Sequence, residues 1–391
     1  MFEDLGIKYL GPIDGHDIEA LERELENAKR FQGPVIVHAI TEKGRGHLPA
    51  LQDEAEKFHA VGVVDPETGE PLSKSGKSWT STFSSALVKI GKQRKDVVAI
   101  TAAMLGPTGL DAFAKEFPDR TFDVGIAEQH ATTSAAGMAF TGLHPVVAVY
   151  STFLNRAFDQ MLLDVALHKA GVTFVLDRSG ITGDDGPSHH GIWDLALTSI
   201  VPGIKVAAPR DGKRLEELLG ECVQVSDGPT VLRFPKGQIT PDIPAFEQIE
   251  GIDILYRGES ADILLISAIE AAGIAYREGV GVTVVDPRWV RPLPHQLISL
   301  AEKFENIVVV EDGLENVGVG AAVAEMLRRE GINTEVTSIG VPQRFIEHSK
   351  RLEILSDLGM NSGAIAQRLV AIHSSRVNKD ALTTEMNRLR D

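Results

Sequence analysis

Cysteine is almost absent from this sequence, because Cys222 is the one thiol among 391 residues. A single thiol excludes an intramolecular disulfide framework and a cysteine-rich zinc site, and it suits a reducing compartment. The first residues, MFEDLGIKYLG, also lack the basic segment and apolar run of a secretory signal. We therefore expect a cytoplasmic protein.

Positive charge is scarce too. Lysine and arginine number 39 against 55 acidic residues, which gives a net charge of −16 and an isoelectric point near 5.2. Nucleic acid binding requires a concentrated basic face, so we do not expect nucleic acid as the main partner. No apolar run reaches the roughly 18 residues of a membrane span, so none is expected. The hydrophobic fraction of 43% is that of a globular chain, and the length suits two or three domains.

The sequence does contain a regular alternation of short apolar runs with helical patterns. Runs such as VTFVLD (172–177), DILLIS (262–267) and VTVVDP (282–287) are rich in aliphatic residues. Nearly continuous apolar segments of this length are typical of parallel strands buried on both faces. The alternation predicts an α/β fold with doubly wound, mostly parallel sheets.

Changes in composition predict the domain boundaries. Two stretches without periodicity, rich in turn-forming residues, are typical of connectors. The first module offers one strand, one helix and another strand, a βαβ-like unit whose sheet edge needs a cover. The predicted parts are this module (1–59), a linker (60–76), a middle domain (77–236), a connector (237–254), a C-terminal domain (255–372) and a polar tail (373–391).

Glu128 is the first candidate for a chemical role. It starts a predicted helix made almost wholly of Ala, Ser, Thr, Gly and Met. Small residues pack closely on all sides, so we expect the carboxylate to be buried. Burial of a carboxylate is costly without hydrogen bonds, although a helix N-terminus offsets part of the cost. The alternative is an ordinary helix-start glutamate that accepts hydrogen bonds from backbone N–H groups.

An aromatic pair, Tyr150 and Phe153, ends a predicted strand and is followed by Arg156. Phe153 is suited to be a flat platform for a heteroaromatic ring, with Arg156 facing an anion. Alternatively, the two aromatic side chains belong to the core and Arg156 lies on the surface.

Polar residues are densest in DRSGITGDDGPSHHG (177–191), which follows another predicted strand. Ligand sites in open α/β sheets lie at the carboxyl ends of strands, and imidazole titrates near neutral pH. His189 and His190 are therefore candidate acid–base groups, of which at most one is expected to face a substrate. A metal site that includes Asp184 and Asp185 is an alternative, but the spacing matches no common zinc pattern. The remaining alternative is a solvated turn.

Two smaller groups of basic residues are also candidates. Lys43 and His59 flank a glycine-rich turn suited to binding an anion or handling a proton, although an ordinary basic loop is an alternative. Arg233 and Lys236 end a strand in the segment RFPKG and are suited to clamping a phosphate. A solvated strand end is the alternative there.

Together these motifs resemble the thiamine-diphosphate enzymes of the transketolase group, and most closely the 1-deoxy-D-xylulose-5-phosphate synthase family. The resemblance implies two doubly wound domains, a pyrimidine-binding domain and a C-terminal domain. It also implies condensation of pyruvate with glyceraldehyde 3-phosphate, with loss of carbon dioxide, in isoprenoid biosynthesis. The motifs that carry it include KYLGPIDGHD (8–17), KGRG (43–46), FPDRTFDVGIAEQHA (117–131), YSTFLNRAFDQ (150–160), DRSGITGDDGPSHHG (177–191), RFPKG (233–237), VDPRWVRPLP (285–294) and EDG (311–313).

The resemblance implies a role for each candidate. Glu128 is expected to hydrogen-bond the pyrimidine of thiamine diphosphate, Phe153 to stack on it, and Ile126 to contact the cofactor. His189 and His59 are expected to handle protons. The expected ligands of the aldehyde phosphate are Tyr150, Arg156, Asp185 and either Arg233 or Lys236, and Lys43 is expected near the cofactor diphosphate.

The sequence departs from the family at one important place, because it contains no GDG motif followed by Asn to bind Mg²⁺ and diphosphate. We expect one half of a split enzyme, with a partner chain supplying that motif, and a homo- or hetero-oligomer. The alternatives are a non-catalytic or regulatory truncated relative and a fragment. Two smaller departures are Leu105, where proline is expected, and His190, where Asn or Gln is more usual.

Overall fold

The structure is a computed structural model that describes residues 2–53, 57–59, 61–72 and 76–388, with side chains to residue 376. Residues 60 and 73–75 of the predicted linker and 389–391 of the predicted tail lie outside the described residues. The chain divides into two compact units, Met1–Ser75 and Gly76–Asp391, and each is described by itself.

The first unit contains a two-stranded parallel sheet with a crossover helix. Asp17 caps this helix by accepting a hydrogen bond from the backbone N–H of Ala20. The helix buries none of its residues within the described chain, and its Ile18 is largely exposed. The elements are a 3-10 helix (Glu3–Leu5), β1 (Lys8–Asp14), α1 (Ile18–Arg30), β2 (Val35–Ile40) and α2 (Leu48–Gln52).

The second unit contains two sheets, of which the first has seven strands in the order β13-β7-β8-β6-β5-β3-β4. Six strands are parallel, and β13 joins the edge antiparallel to β7. The central strands are buried along their whole length, which explains their continuous apolar sequences. The strands are β3 (Val97–Thr101), β4 (Thr121–Asp123), β5 (His144–Tyr150), β6 (Thr173–Asp177), β7 (Lys205–Ala207), β8 (Thr230–Arg233) and β13 (Trp289–Arg291).

Helices cover both faces of this sheet. Leu87 and Leu218 are buried on one face, and Ala135 is buried on the other. Ser78 begins the first helix with a reciprocal capping box to Ser81. The helical segments are α3 (Trp79–Gln93), α4 (Asp111–Glu116), a 3-10 turn (Pro118–Arg120), α5 (Glu128–Phe140), a 3-10 segment (Ser151–Ala157), α6 (Phe158–Gln160), a π-helical segment (Met161–Ala166), α7 (Asp194–Ser199) and α8 (Gly212–Cys222).

The second sheet has six strands in the order β15-β14-β11-β12-β10-β9. Four are parallel, and β10 and β9 form an antiparallel edge. Its strands are β9 (Glu247–Ile249), β10 (Ile252–Tyr256), β11 (Ile263–Ile266), β12 (Val282–Asp286), β14 (Asn306–Leu314) and β15 (Glu335–Val341), and its helices are α9 (Ile269–Arg277), α10 (Gln296–Ala301), α11 (Val319–Arg329), α12 (Arg351–Asp357) and α13 (Ser362–Arg388).

The predicted fold class is confirmed by these two mostly parallel sheets with helices. The sequence did not predict β13, a three-residue strand of the C-terminal part that extends the first sheet. Its segment, VDPRWVRPLP, is rich in proline and short, so it has no strand periodicity. Among the described residues, no helix is both long and apolar enough to cross a membrane.

His144 should make folding of the first sheet depend on pH. Its side chain is buried, its Nε2 lies 2.8 Å from Thr173 Oγ1, and burial lowers its pKa from 6.5 to about 4. The unfolded chain takes up this proton near pH 6.5, whereas the folded chain resists it. Acidification from pH 6.5 towards 4 should therefore cost up to about 3 kcal/mol of unfolding free energy through this group.

Urea unfolding of the wild type and of a His144→Asn variant between pH 7.5 and 4.5 measures this contribution. The variant should lose less stability on acidification than the wild type. Equal pH slopes in the two proteins would show that His144 is not buried in its neutral form.

Candidate functional site

Most of the candidate residues lie at or just after the carboxyl ends of parallel strands in the seven-stranded sheet. These strand ends all lie at the same edge of the sheet. The strand order reverses at β3, because the chain passes from β3 to β4 on one side and then to β5 on the other. Such reversal points are where open α/β sheets bind ligands. Glu128, Phe153, His189 and Lys236 follow β4, β5, β6 and β8 in that order.

Glu128 is the first residue of α5 and is only 4% exposed. Its Oε2 atom is buried and has no hydrogen-bond partner among the described residues. Ala131 and Ala135 lie buried along the same helix, which packs against β5 and the Ser151–Ala157 segment. A buried carboxylate oxygen without a donor costs free energy. Glu128 is therefore placed to receive a hydrogen bond from a bound group.

Tyr150 and Phe153 form a stacked pair, with ring centroids 5.8 Å apart and an interplanar angle of 11°. The His189 ring stands edge-on to both, 6.5 Å from Tyr150 and 5.6 Å from Phe153. All three side chains are partly exposed. The structure thus brings these three predicted residues into one aromatic cluster that can receive a flat ring.

Arg178 belongs to this cluster, although the sequence did not single it out. Its guanidinium lies 3.9 Å from the Tyr150 ring centroid, and its Nη1 donates to the Pro107 carbonyl oxygen at 3.1 Å. Its backbone φ is +62°, a strained value for a side chain of this size. The available signal was the arginine directly after a buried strand, in DRSG.

Asp177 lies behind Arg178 and is buried at the end of β6. Burial raises its pKa to about 6, against the opposing influence of Arg178, whose Nη1 lies 3.3 Å away. The Thr80 hydroxyl donates to Asp177 Oδ2 at 2.6 Å. Arg178 thus contacts both the Asp177 carboxylate and the Tyr150 ring.

The two adjacent histidines have different surroundings. His190 is buried and its Nδ1 lies 3.0 Å from the Thr182 backbone nitrogen, which donates to it. Burial also lowers the pKa of His190, which suits this acceptor role. His189 is partly exposed and its Nδ1 lies 2.9 Å from Ser188 Oγ. Across the described residues, no group of three or more His, Cys, Asp or Glu side chains is placed to hold a metal ion.

The two basic residues of RFPKG differ in their surroundings. Arg233 is 10% exposed; its Nε donates to Asp194 Oδ2 at 2.8 Å and its Nη2 to the Asp312 carbonyl oxygen at 2.9 Å. Lys236 is 34% exposed and pairs with Asp185 at 2.8 Å. Arg233 is thus held by hydrogen bonds within the fold, whereas the ion pair between Lys236 and Asp185 is accessible to solvent.

The other candidates are exposed. Arg156 is exposed on the 3-10 segment that carries Phe153, and Ile126 is 83% exposed just before α5. Lys43 and His59 are exposed in the first unit. Their roles remain predictions.

Comparison with known protein families defines the class. Residues 75–241 match the family described as "Transketolase, pyrimidine binding domain", and residues 263–365 match "Transketolase, C-terminal domain". The chain therefore carries these two transketolase domains in this order, and they correspond to the two sheets of the second unit. Residues 1–41 match a third family, described as "1-deoxy-D-xylulose-5-phosphate synthase".

The curated relatives point to one branch of this class. The chain is 55% identical to 1-deoxy-D-xylulose-5-phosphate synthase 2 of Streptomyces avermitilis, over 96% of this chain and 60% of the relative. It is 54% identical to 1-deoxy-D-xylulose-5-phosphate synthase of Leifsonia xyli subsp. xyli, with the same coverage. The predicted resemblance to this family is confirmed, and the chain spans about 60% of the length of these relatives.

Solved structures agree on the fold. A chain described as "Split gene transketolase, inactive beta4 tetramer" is 26% identical with a TM-score of 0.68, covering 76% of this chain and 100% of that one. Transketolase from Campylobacter jejuni has a TM-score of 0.61 at 18% identity, covering 95% of this chain and 68% of that one, which supports the fold alone.

Substitution of Arg233 and Lys236 should distinguish a scaffold role from an accessible one. Arg233→Met leaves the buried carboxylate of Asp194 without its cation, which should cost about 3–5 kcal/mol of unfolding free energy. Lys236→Met removes a partly exposed ion pair and should cost less than about 1 kcal/mol. Urea unfolding at pH 7.5 measures both, and equal losses would refute the distinction.

Proposed function

We propose that this chain is the pyrimidine-binding half of a thiamine-diphosphate-dependent transferase. The proposed reaction joins pyruvate to glyceraldehyde 3-phosphate, with loss of carbon dioxide, and yields 1-deoxy-D-xylulose 5-phosphate in the cytoplasm. The observation that carries the proposal is the buried, unpartnered Oε2 of Glu128 on a helix that packs against the segment bearing Phe153.

The residues fit the aminopyrimidine of the cofactor. Glu128 would offer one carboxylate oxygen to a protonated ring nitrogen, and its burial would make that hydrogen bond strong. Phe153 presents a partly exposed ring that would hold the pyrimidine by stacking, and Ile126 would add a further apolar contact. Thiamine diphosphate supplies the carbanion chemistry when it is bound.

The acceptor aldehyde is assigned to the polar side of the aromatic cluster. Lys236 and Arg178 are the cations that we assign to its phosphate, with Asp185 orienting Lys236. We assign to His189, which stands edge-on to Phe153, the donation or acceptance of a proton at the substrate oxygen. We propose further substrate contacts from Tyr150 and Arg156, and a proton-handling role for His59.

We assign the ligands of Mg²⁺ and diphosphate to a separate chain, with Lys43 near the diphosphate. The 391 residues contain no GDG motif, and the support for a separate chain is the similarity to a subunit described as split-gene and inactive as a β4 tetramer. The alternative is a non-catalytic or regulatory relative. The unpaired Oε2 atom of Glu128 favours the catalytic assignment, because a buried oxygen without a hydrogen-bond donor does not stabilise the folded chain.

Reconstitution tests the proposal. The purified chain is assayed for pyruvate decarboxylation with thiamine diphosphate, Mg²⁺ and glyceraldehyde 3-phosphate, alone and with a GDG-bearing chain encoded by an adjacent gene. We expect turnover only in the mixture. Turnover by the chain alone would refute the split assignment, and no cofactor binding or turnover in either sample would favour the non-catalytic relative.

Glu128→Gln should lower turnover of the active mixture at least about 100-fold, because the neutral amide cannot stabilise a protonated ring nitrogen. Glu116→Gln is the matched control, since Glu116 is exposed and pairs with Lys92 outside the cluster. Similar rates for the wild type and the Glu128 variant would overturn the assigned role.

Lys236→Met should raise the KM for glyceraldehyde 3-phosphate about 10- to 100-fold, the cost of one charge-assisted hydrogen bond. The KM for unphosphorylated glyceraldehyde should change little. Lys205→Met, at the amino end of β7 and the opposite edge of the sheet, is the control. An equal rise for both aldehydes would show that Lys236 does not bind the phosphate.

A further inference from the structure

The loop that carries Asp185 and His189 is held at its first turn by two side chains from the C-terminal domain. Asp312, on β14, accepts a hydrogen bond through Oδ1 from the Ile181 backbone N–H at 2.9 Å. Arg351, at the start of α12, donates through Nη1 to the Ile181 carbonyl oxygen. Asp312 Oδ2 and Arg351 Nη2 lie 2.6 Å apart. Together they form what we call the Asp312–Arg351 clamp, which engages both backbone groups of Ile181.

Two glycines make this close approach possible. A Cβ atom on Gly180 would lie 2.1–2.4 Å from the carboxylate atoms of Asp312, and one on Gly183 would lie 2.8 Å from the backbone nitrogen of Arg351. Both glycines also have positive φ values, +78° and +93°. Any side chain at either position would push the loop and the C-terminal domain apart.

The rest of the loop follows from the position of Ile181. Gly180 and Gly191 exchange backbone hydrogen bonds of 2.8 and 2.7 Å, which close the loop at its base. The Ile181 side chain is fully buried against Ile192 and Ile346. The clamp and this apolar cluster therefore hold both ends of the segment from 182 to 190 in place.

Further hydrogen bonds connect the Asp312–Arg351 clamp to neighbouring elements. The Asp312 carbonyl oxygen accepts a hydrogen bond from Arg233, the buried arginine of the first sheet. The preceding residue, Glu311, accepts hydrogen bonds from the Val319 and Gly320 nitrogens at the start of α11, at 2.7 and 2.9 Å. Motion of β14 or α11 would thus be transmitted to the loop through Asp312.

We propose that Asp312 and Arg351 are positioning residues, which hold the 180–191 loop so that His189 stands against Phe153 and Asp185 against Lys236. The part of this inference that concerns catalysis rests on the proposed function. The part that concerns the loop does not, because it follows from contacts within the chain. The C-terminal domain thereby sets the geometry of a site to which it contributes no predicted catalytic group.

Hydrogen–deuterium exchange of the purified chain tests the loop directly. Asp312→Ala and Arg351→Met should speed exchange across 180–191 about tenfold, the expected result of losing one hydrogen bond of average strength. Asp312→Asn keeps an acceptor for the Ile181 N–H and should preserve most of the protection. Glu325→Gln is the control, because its ion pairs with Arg328 and Arg329 lie on the surface of α11.

Exchange in β11 and β14 reports whether each variant is folded. If Asp312→Ala unfolds these strands, Arg351→Met provides the same test, because it removes the hydrogen bond to the Ile181 carbonyl oxygen. Wild-type protection of 180–191 in folded clamp variants would overturn the proposal. Equal loss in the Asn and Ala variants would also overturn it, because it would show that the acceptor is unimportant.

The reconstituted enzyme supplies the kinetic readout. Asp312→Ala should raise the KM for glyceraldehyde 3-phosphate and lower kcat, each about tenfold, and leave the KM for thiamine diphosphate unchanged, because Glu128 and Phe153 lie outside the loop. A parallel rise in the cofactor KM would indicate a general structural defect and contradict the positioning role. An inactive wild-type mixture would refute the proposed function alone, since the exchange result stands independently.

Discussion

Parallel strand pairing is the constraint on which the rest of this structure depends. The backbone ladders between β4, β3, β5, β6 and β8 all run in one direction, so every strand delivers its following residues to the same edge. Glu128 and Lys236 are more than a hundred positions apart in the sequence, yet their strands, β4 and β8, end at the same edge of one sheet with β3, β5 and β6 between them. A candidate site appears there because the ladder is buried and cannot slip without exposing its apolar faces.

Polar groups near this edge fall into two kinds. Arg233 donates to the Asp194 carboxylate and to the Asp312 carbonyl oxygen across the boundary between the two sheets and therefore acts as scaffold. Glu128 keeps one oxygen unsatisfied, and Lys236 keeps its ion pair within reach of solvent. The partners of Arg233 within the fold thus distinguish it from Glu128 and Lys236, which we propose meet a ligand, because a buried oxygen without a donor is retained only at a cost.

Much of the fold could be predicted because strands buried along their whole length have continuous apolar sequences, which can be recognised without knowing their neighbours. β6 and β12 are examples, and Glu128 was predicted to be buried from the small residues around it. β13 could not be predicted, since three residues in a proline-rich segment acquire strand geometry only by pairing with β7. Arg178 was missed for a related reason, because its position over Tyr150 depends on the adjacent ends of β5 and β6.

By itself the sequence determined the fold class, the kinship with transketolase-type enzymes and the identity of the candidate groups, because these follow from local pattern and motif. Only the tertiary structure distinguished Arg233 from Lys236, distinguished the surroundings of His189 and His190, and revealed the Asp312–Arg351 clamp. Each of these three distinctions depends on contacts between charged or backbone groups that are far apart in the sequence. Burial and partnership are properties of the folded chain, and residue type alone does not specify them.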